Sequence, residues 1–154
     1  TGTLGQAKKG LELIKENMAQ IDLNSKFVKK FLSPNLNFEF AAEISAIANS
    51  CIDVSDGLIS DLGHILEASR VGGEINVERI ALVGAVEDAL TWGDDYELLI
   101  TIPPGQKQSL LEISERFDID ISEIGKITRE SDLRVIEKGS LISFSKPGYN
   151  HFNE

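Results

Sequence analysis

At 154 residues, 42% of them hydrophobic and 26% charged, the chain has the length and composition of one globular domain with a proper core. Its formal net charge of −10 argues against nucleic acid, whose affinity rests on Lys and Arg neutralising phosphates. No apolar run approaches the roughly 20 residues of a membrane helix, and no basic-then-apolar leader opens the chain, so the expectation is a cytoplasmic protein bound to neither membrane nor nucleic acid.

The first third reads as helical. A helix opens at Leu4-Gly5, with Leu11, Ile14 and Met18 recurring at helical spacing. A short helix follows over Lys26 to Leu32 and breaks at Ser33-Pro34-Asn35. A third runs from Phe38 to Ala48 with Phe40, Ile44 and Ile47 on one side. Strand character begins at Cys51, the lone cysteine, read as a buried strand residue that forms no internal disulfide and suits a reducing compartment. Leu58, Leu62, Ile65 and Leu66 then form a helical stripe, with Gly57, Asp61, His64 and Ala68 on another face. Val71-Gly72-Gly73 is read as ending that helix.

Glu74 to Val77 alternates like a strand, and Ala85 to Leu90 suits a short helix. Tyr96 to Ile102 is apolar on both faces after its first residues, which predicts a central strand stopped by Pro103-Pro104-Gly105. Gln108 to Phe117 is helical. Strands are expected over Ser122–Thr128, Leu133–Ile136 and Ser140–Phe144, the last two paired through a Lys138-Gly139 turn. This order predicts a single α/β (α+β) domain, a layered sandwich with a mixed β-sheet and packed helices.

Two acidic turns stand out. In Cys51-Ile52-Asp53-Val54-Ser55-Asp56-Gly57-Leu58 a strand ends in two aspartates three residues apart, just before a helix. Carboxylates so spaced can converge on a divalent cation, and free backbone N–H groups at a helix start can meet an anion. Metal-bound phosphate needs both. Helix capping accounts for one of Asp53, Ser55 and Asp56, but not for all three. The second turn is Trp92-Gly93-Asp94-Asp95-Tyr96-Glu97-Leu98, feeding the expected central strand. Ligands of α/β sheets often bind at such strand ends, although a solvated loop reads equally well. Glu97 falls where burial is expected, so it should accept hydrogen bonds or pair with a cation. Trp92 is read as a packing residue. The tail Gly148-Tyr149-Asn150-His151-Phe152 carries two aromatics, suited to anchoring it on the core.

Together with Thr1-Gly2-Thr3-Leu4-Gly5, these segments resemble, along the whole chain, the C-terminal half of the thiamine-monophosphate kinase family, within the aminoimidazole ribonucleotide synthetase-like group. The resemblance implies that group's C-terminal-domain fold, with ATP as co-substrate, thiamine monophosphate as phosphate acceptor and Mg2+ as cofactor. Asp53 and Asp56 match its magnesium ligands within Asp-x-Ser-Asp-Gly-Leu, and Ser55 matches an ATP contact. Asp94 matches a substrate-binding carboxylate, in place of Glu in Gly-Gly-Glu-Asp-Tyr-Glu-Leu. Tyr149 matches a substrate-contacting aromatic, and Asn150 stands where the family has Asp. Asp61 and His64 match the following helix and receive no ligand role. The chain opens on Thr, and the resemblance implies an absent N-terminal domain that holds further metal ligands and the homodimer interface, which would leave this half alone inactive. A sister synthetase with the same fold, or a non-catalytic small-molecule-binding module, are the alternative readings.

Overall fold

The computed structural model describes residues 1–145 and 148. Tyr149 and the rest of the aromatic tail lie outside the described residues. The helical opening forms α1 (Gln6–Glu16), α2 (Lys26–Leu32) and α3 (Phe38–Ile44). Helix α1 buries Ala7 and Gly10, not the expected stripe, and Met18 lies beyond its end at 78% exposure. The small residues let α1 and α2 approach closely, and a wider apolar contact through Leu11 and Ile14 would hold them apart. Helix α3 stops at Ile44, where the Ile47 and Ala48 N–H groups both turn back to its carbonyl.

Next come strand β1 (Ser50–Asp53) and, much later, β3 (Leu98–Thr101), which pair antiparallel with Asp53 opposite Leu98. The expected central strand is therefore one arm of a two-stranded ribbon. Its apolar faces have another cause: each faces its own core. Leu99 joins a cluster with Val54, Leu58, Leu62, Leu66, Ile75 and Leu90. Leu98 and Ile100 pack against a second cluster, Phe40 and Ile44 of α3 with Leu110 and Ile113 of α6 (Lys107–Phe117). There Phe40 meets Phe117 edge to face at 5.9 Å. Cys51 is exposed, against expectation: opposite Ile100, it lies with Asp53 on the ribbon face whose apolar cover falls on Leu98 and Ile100 of β3, while Ile52 turns toward the first cluster.

The larger sheet is mixed, as the sequence predicts, and runs β4-β2-β5-β6. Strands β2 (Gly72–Asn76) and β5 (Leu133–Glu137) are parallel, while β4 (Gly125–Thr128) and β6 (Ser140–Ile142) pair antiparallel to them. Lys138 and Gly139 make the β5–β6 turn with φ of 50° and 78°, the positive pair a tight hairpin needs. Helix α4 (Leu58–Ser69) lies across both sheets and packs against α5 (Val86–Thr91). It ends on Arg70 in the left-handed conformation, not on Gly72 and Gly73. Those glycines already belong to β2, where the Glu130 carbonyl leaves Gly72 no room for a Cβ. Among the described residues no helix is long and apolar enough to cross a membrane.

The two phenylalanines of α3 check this division of faces. Phe40 is 1% exposed and Phe38 72%. Phe40→Ala should lower unfolding free energy by about 3–5 kcal/mol, and Phe38→Ser should stay within roughly 0.5 kcal/mol of the parent, both read by denaturant unfolding.

Candidate functional site

The two acidic turns meet because the β1–β3 pairing continues beyond the strands. Val54 N–H donates to the Glu97 carbonyl at 2.8 Å, and Tyr96 N–H donates to the Val54 carbonyl at 2.9 Å. Asp94 N–H donates to the Ser55 carbonyl at 3.0 Å. Gly93 lies so close to that same carbonyl that no side chain fits between the turns. Asp94 and Tyr96 hold positive φ of 66° and 50°, which lets the second turn follow the first. Asp53, Ser55, Asp56 and Asp94 are thereby carried on adjoining backbone at one end of the ribbon. Asp53 is exposed, and the other three are half-buried. Gly148 lies against the Asp56 carbonyl at 2.6 Å, measured from where its Cβ would stand, so the chain returns to this turn just before Tyr149.

Three other carboxylates in and around these turns are buried, and each serves an internal donor. Asp61, 2% exposed on α4, accepts the backbone N–H groups of Ser55 and Asp56 through Oδ2 at 3.0 and 3.1 Å. These two N–H groups, which precede the Gly57 cap of α4, are therefore already committed within the chain. Burial pushes the Asp61 carboxyl up, and the N–H of Asp56 pulls it back. Asp95, fully buried, accepts Gly5 N–H at 2.6 Å and Ala7 N–H at 3.0 Å, one on each oxygen. It thus caps α1 from ninety residues away, a role the sequence reading missed. Burial raises its pKa against the pull of those two donors. Glu97 behaves as expected of a buried carboxylate: Lys30 Nζ lies 2.5 Å from it, and the Thr1 hydroxyl donates to it at 2.7 Å.

The donor set is all oxygen apart from exposed His64, whose nearest ligand atom lies with those of Asp56 and Asp61 inside a 4.8 Å cluster. Carboxylates and a hydroxyl suit a hard divalent cation such as Mg2+. Of the two aspartates expected to bind metal, only Asp56 belongs to this cluster among the described residues; Asp53 does not. Trp92 is half-buried, with Lys8 Nζ 5.5 Å from its ring centroid; its Nε1 has no hydrogen-bond partner among the described residues.

The sequence pattern of the family described as AIR synthase related protein, C-terminal domain, matches residues 3–138. The thiamine-monophosphate kinase of Buchnera aphidicola subsp. Acyrthosiphon pisum is 36% identical over 166 residues, covering 99% of this chain and 51% of that protein. The crystal structure of thiamine-monophosphate kinase from Stenotrophomonas maltophilia superposes with a TM-score of 0.79 at 30% identity, covering 87% of this chain and 48% of that one. A structure described as AaThiL complexed with AMPPCP and TMP does so with a TM-score of 0.75 at 28% identity, over 99% of this chain and 50% of that one. The chain is homologous to the C-terminal half of these kinases and spans about half the length of the curated relatives it matches.

The Asp95 cap makes a definite forecast. Asn at this position offers one acceptor oxygen to two backbone donors, so Asp95→Asn leaves one of them unpaired in the interior. It should lower stability by about 1–3 kcal/mol, read as a loss of thermal midpoint, with amide exchange rising first in α1.

Proposed function

The chain belongs to the AIR synthase related protein family, as a C-terminal domain of that family, and from this membership we propose that it forms half of an ATP-dependent thiamine-monophosphate kinase. The whole enzyme would phosphorylate thiamine monophosphate to thiamine diphosphate in the cytoplasm, with Mg2+ as cofactor. The observation that carries the reading is the joining of the two acidic turns, which places Asp53, Ser55, Asp56 and Asp94 on adjoining backbone. Phosphoryl transfer asks little covalent chemistry of the protein; it asks for positioning and for neutralised charge. Bound magnesium would supply the neutralising charge between two anionic substrates.

In this reading Asp53 and Asp56 hold metal, and the Ser55 hydroxyl meets a phosphate oxygen of ATP. Asp94 binds the thiamine moiety, its charge suited to a cationic thiazolium. Tyr149 adds an aromatic face for the same ring; support comes from Gly148, the preceding residue, which lies against Asp56. The remaining metal ligands and the homodimer interface fall to the half of the relatives' length that this chain does not span, so this half by itself turns over no substrate.

Titration of thiamine monophosphate and ATP, with and without Mg2+, against the whole enzyme tests the reading: binding of both should require the metal, and metal-independent binding would overturn it. Two variants assign the residues. Asp56→Asn keeps the size of the side chain, at a position that does not cap α4, whose N-cap is Gly57, but loses the charge, so activity at limiting Mg2+ should collapse while the melting temperature holds. Wild-type activity in that variant removes Asp56 from the metal site. Tyr149→Ala should raise the Michaelis constant for thiamine monophosphate by roughly 2- to 30-fold, the range of a lost aromatic–cation contact of about 0.5–2 kcal/mol, and leave that for ATP unchanged. Equal effects on both substrates together with a lower melting temperature would make Tyr149 an anchor of the tail instead.

A further inference from the structure

We propose that Asp61 is the positioning residue of the acidic turn, holding Ser55 and Asp56 in the orientation their ligands require. Its functional half rests on the metal reading above; its structural half rests on geometry alone. The turn has two polar edges. On one, the carbonyls of Val54 and Ser55 are taken by the N–H groups of Tyr96 and Asp94. On the other, the successive N–H groups of Ser55 and Asp56 point away from that partner, toward the start of α4. Asp61 stands one turn into α4 and sends its carboxylate back to both, at 3.0 and 3.1 Å. Its own N–H closes onto the Gly57 carbonyl at 2.9 Å, which fixes the helix start from which the carboxylate reaches.

A backbone pinned along one edge can still rotate about that edge. Pinning the second edge removes this freedom, and the directions of the Ser55 and Asp56 side chains are then set. Two adjacent N–H donors at a helix start would otherwise form a general anion site. Asp61 fills it from within, so an incoming phosphate is directed to the Ser55 hydroxyl and to bound metal. The rival role for Asp61 is direct ligation, since its ligand atom lies within 4.8 Å of those of Asp56 and His64. The two roles separate on one substitution. Asn retains an oxygen able to accept both N–H groups but carries no charge, whereas Ala retains neither.

The test reads amide exchange in the isotope-labelled 154-residue chain without metal, and Mn2+ binding, with the metal alone as probe, in the whole enzyme. In Asp61→Ala the amide protons of Ser55 and Asp56 should exchange faster while those of β5 do not change. Mn2+ affinity should fall about 10- to 100-fold, the scale on which groups that orient metal ligands act. Asp61→Asn should restore both the amide protection and most of the affinity. If Asn restores protection yet binds Mn2+ as poorly as Ala, Asp61 acts as a ligand and the proposal is overturned. Unchanged Ser55 and Asp56 exchange in the Ala variant overturns it as well. Should Asp61→Ala fail to fold, the Asn variant alone decides by the same two readings. A whole enzyme whose Mn2+ affinity is unmoved by Asp61→Ala overturns the functional half of this proposal, and one that binds no Mn2+ overturns the metal reading with it, while the exchange rates separately decide whether the carboxylate holds the backbone.

Discussion

Everything at this end of the molecule depends on three backbone hydrogen bonds beyond the β1–β3 ribbon, those joining Val54 to Glu97 and Tyr96 and Ser55 to Asp94. Strand pairing usually ends where the chain turns, because side chains force the turns apart. Here it persists, since Gly93 presents no side chain to the Ser55 carbonyl and Asp94 and Tyr96 accept positive φ. Without that continuation the two acidic turns would be separate surface loops. With it they are one surface, mounted on a ribbon that hydrophobic clusters press from both faces.

The carboxylates of this region divide by burial, and the division tracks their partners. Asp61, Asp95 and Glu97 are inside, and each meets specific donors: two N–H groups, two N–H groups, and a lysine with a hydroxyl. Buried charges without such partners would be costly. Asp53 lies open to solvent, and Asp56 and Asp94 are half-open. Those are the positions to which the proposed function assigns a metal and a cationic ring. The acidity of the chain therefore has two origins in this region, one structural and one directed outward.

Much of this was legible in the sequence. The order of helices and strands, the Lys138-Gly139 hairpin and the need of Glu97 for hydrogen-bond donors or a cation follow from local pattern, and local pattern is what periodicity and turn chemistry report. The misreadings share a cause. Cys51, the buried face of α1 and the rank of β3 within its sheet are decided by which element covers which face, and no window of neighbouring residues carries that information. Ser55 and Asp56 look like the open start of a helix until Asp61 is seen folded back over them. Asp95 looks like a loop residue until α1 is seen to begin on it. A spacing of five or six residues after an acidic turn was the available sign for Asp61; for Asp95 no sign exists in its own neighbourhood.

The cap on α1 has a consequence for how the chain folds. Gly5 and Ala7 find their acceptor 90 and 88 residues downstream, and Lys30 finds Glu97 across 67. Contacts of such long range form late, because the loop they close must be ordered before they return any stability. On a ribosome adding about 5–20 residues per second, the first helix pair would wait several seconds with its docking donors unmet. Within this chain the α1–α2 segment thus settles late, and it is a substrate for chaperones and proteases until the second acidic turn emerges.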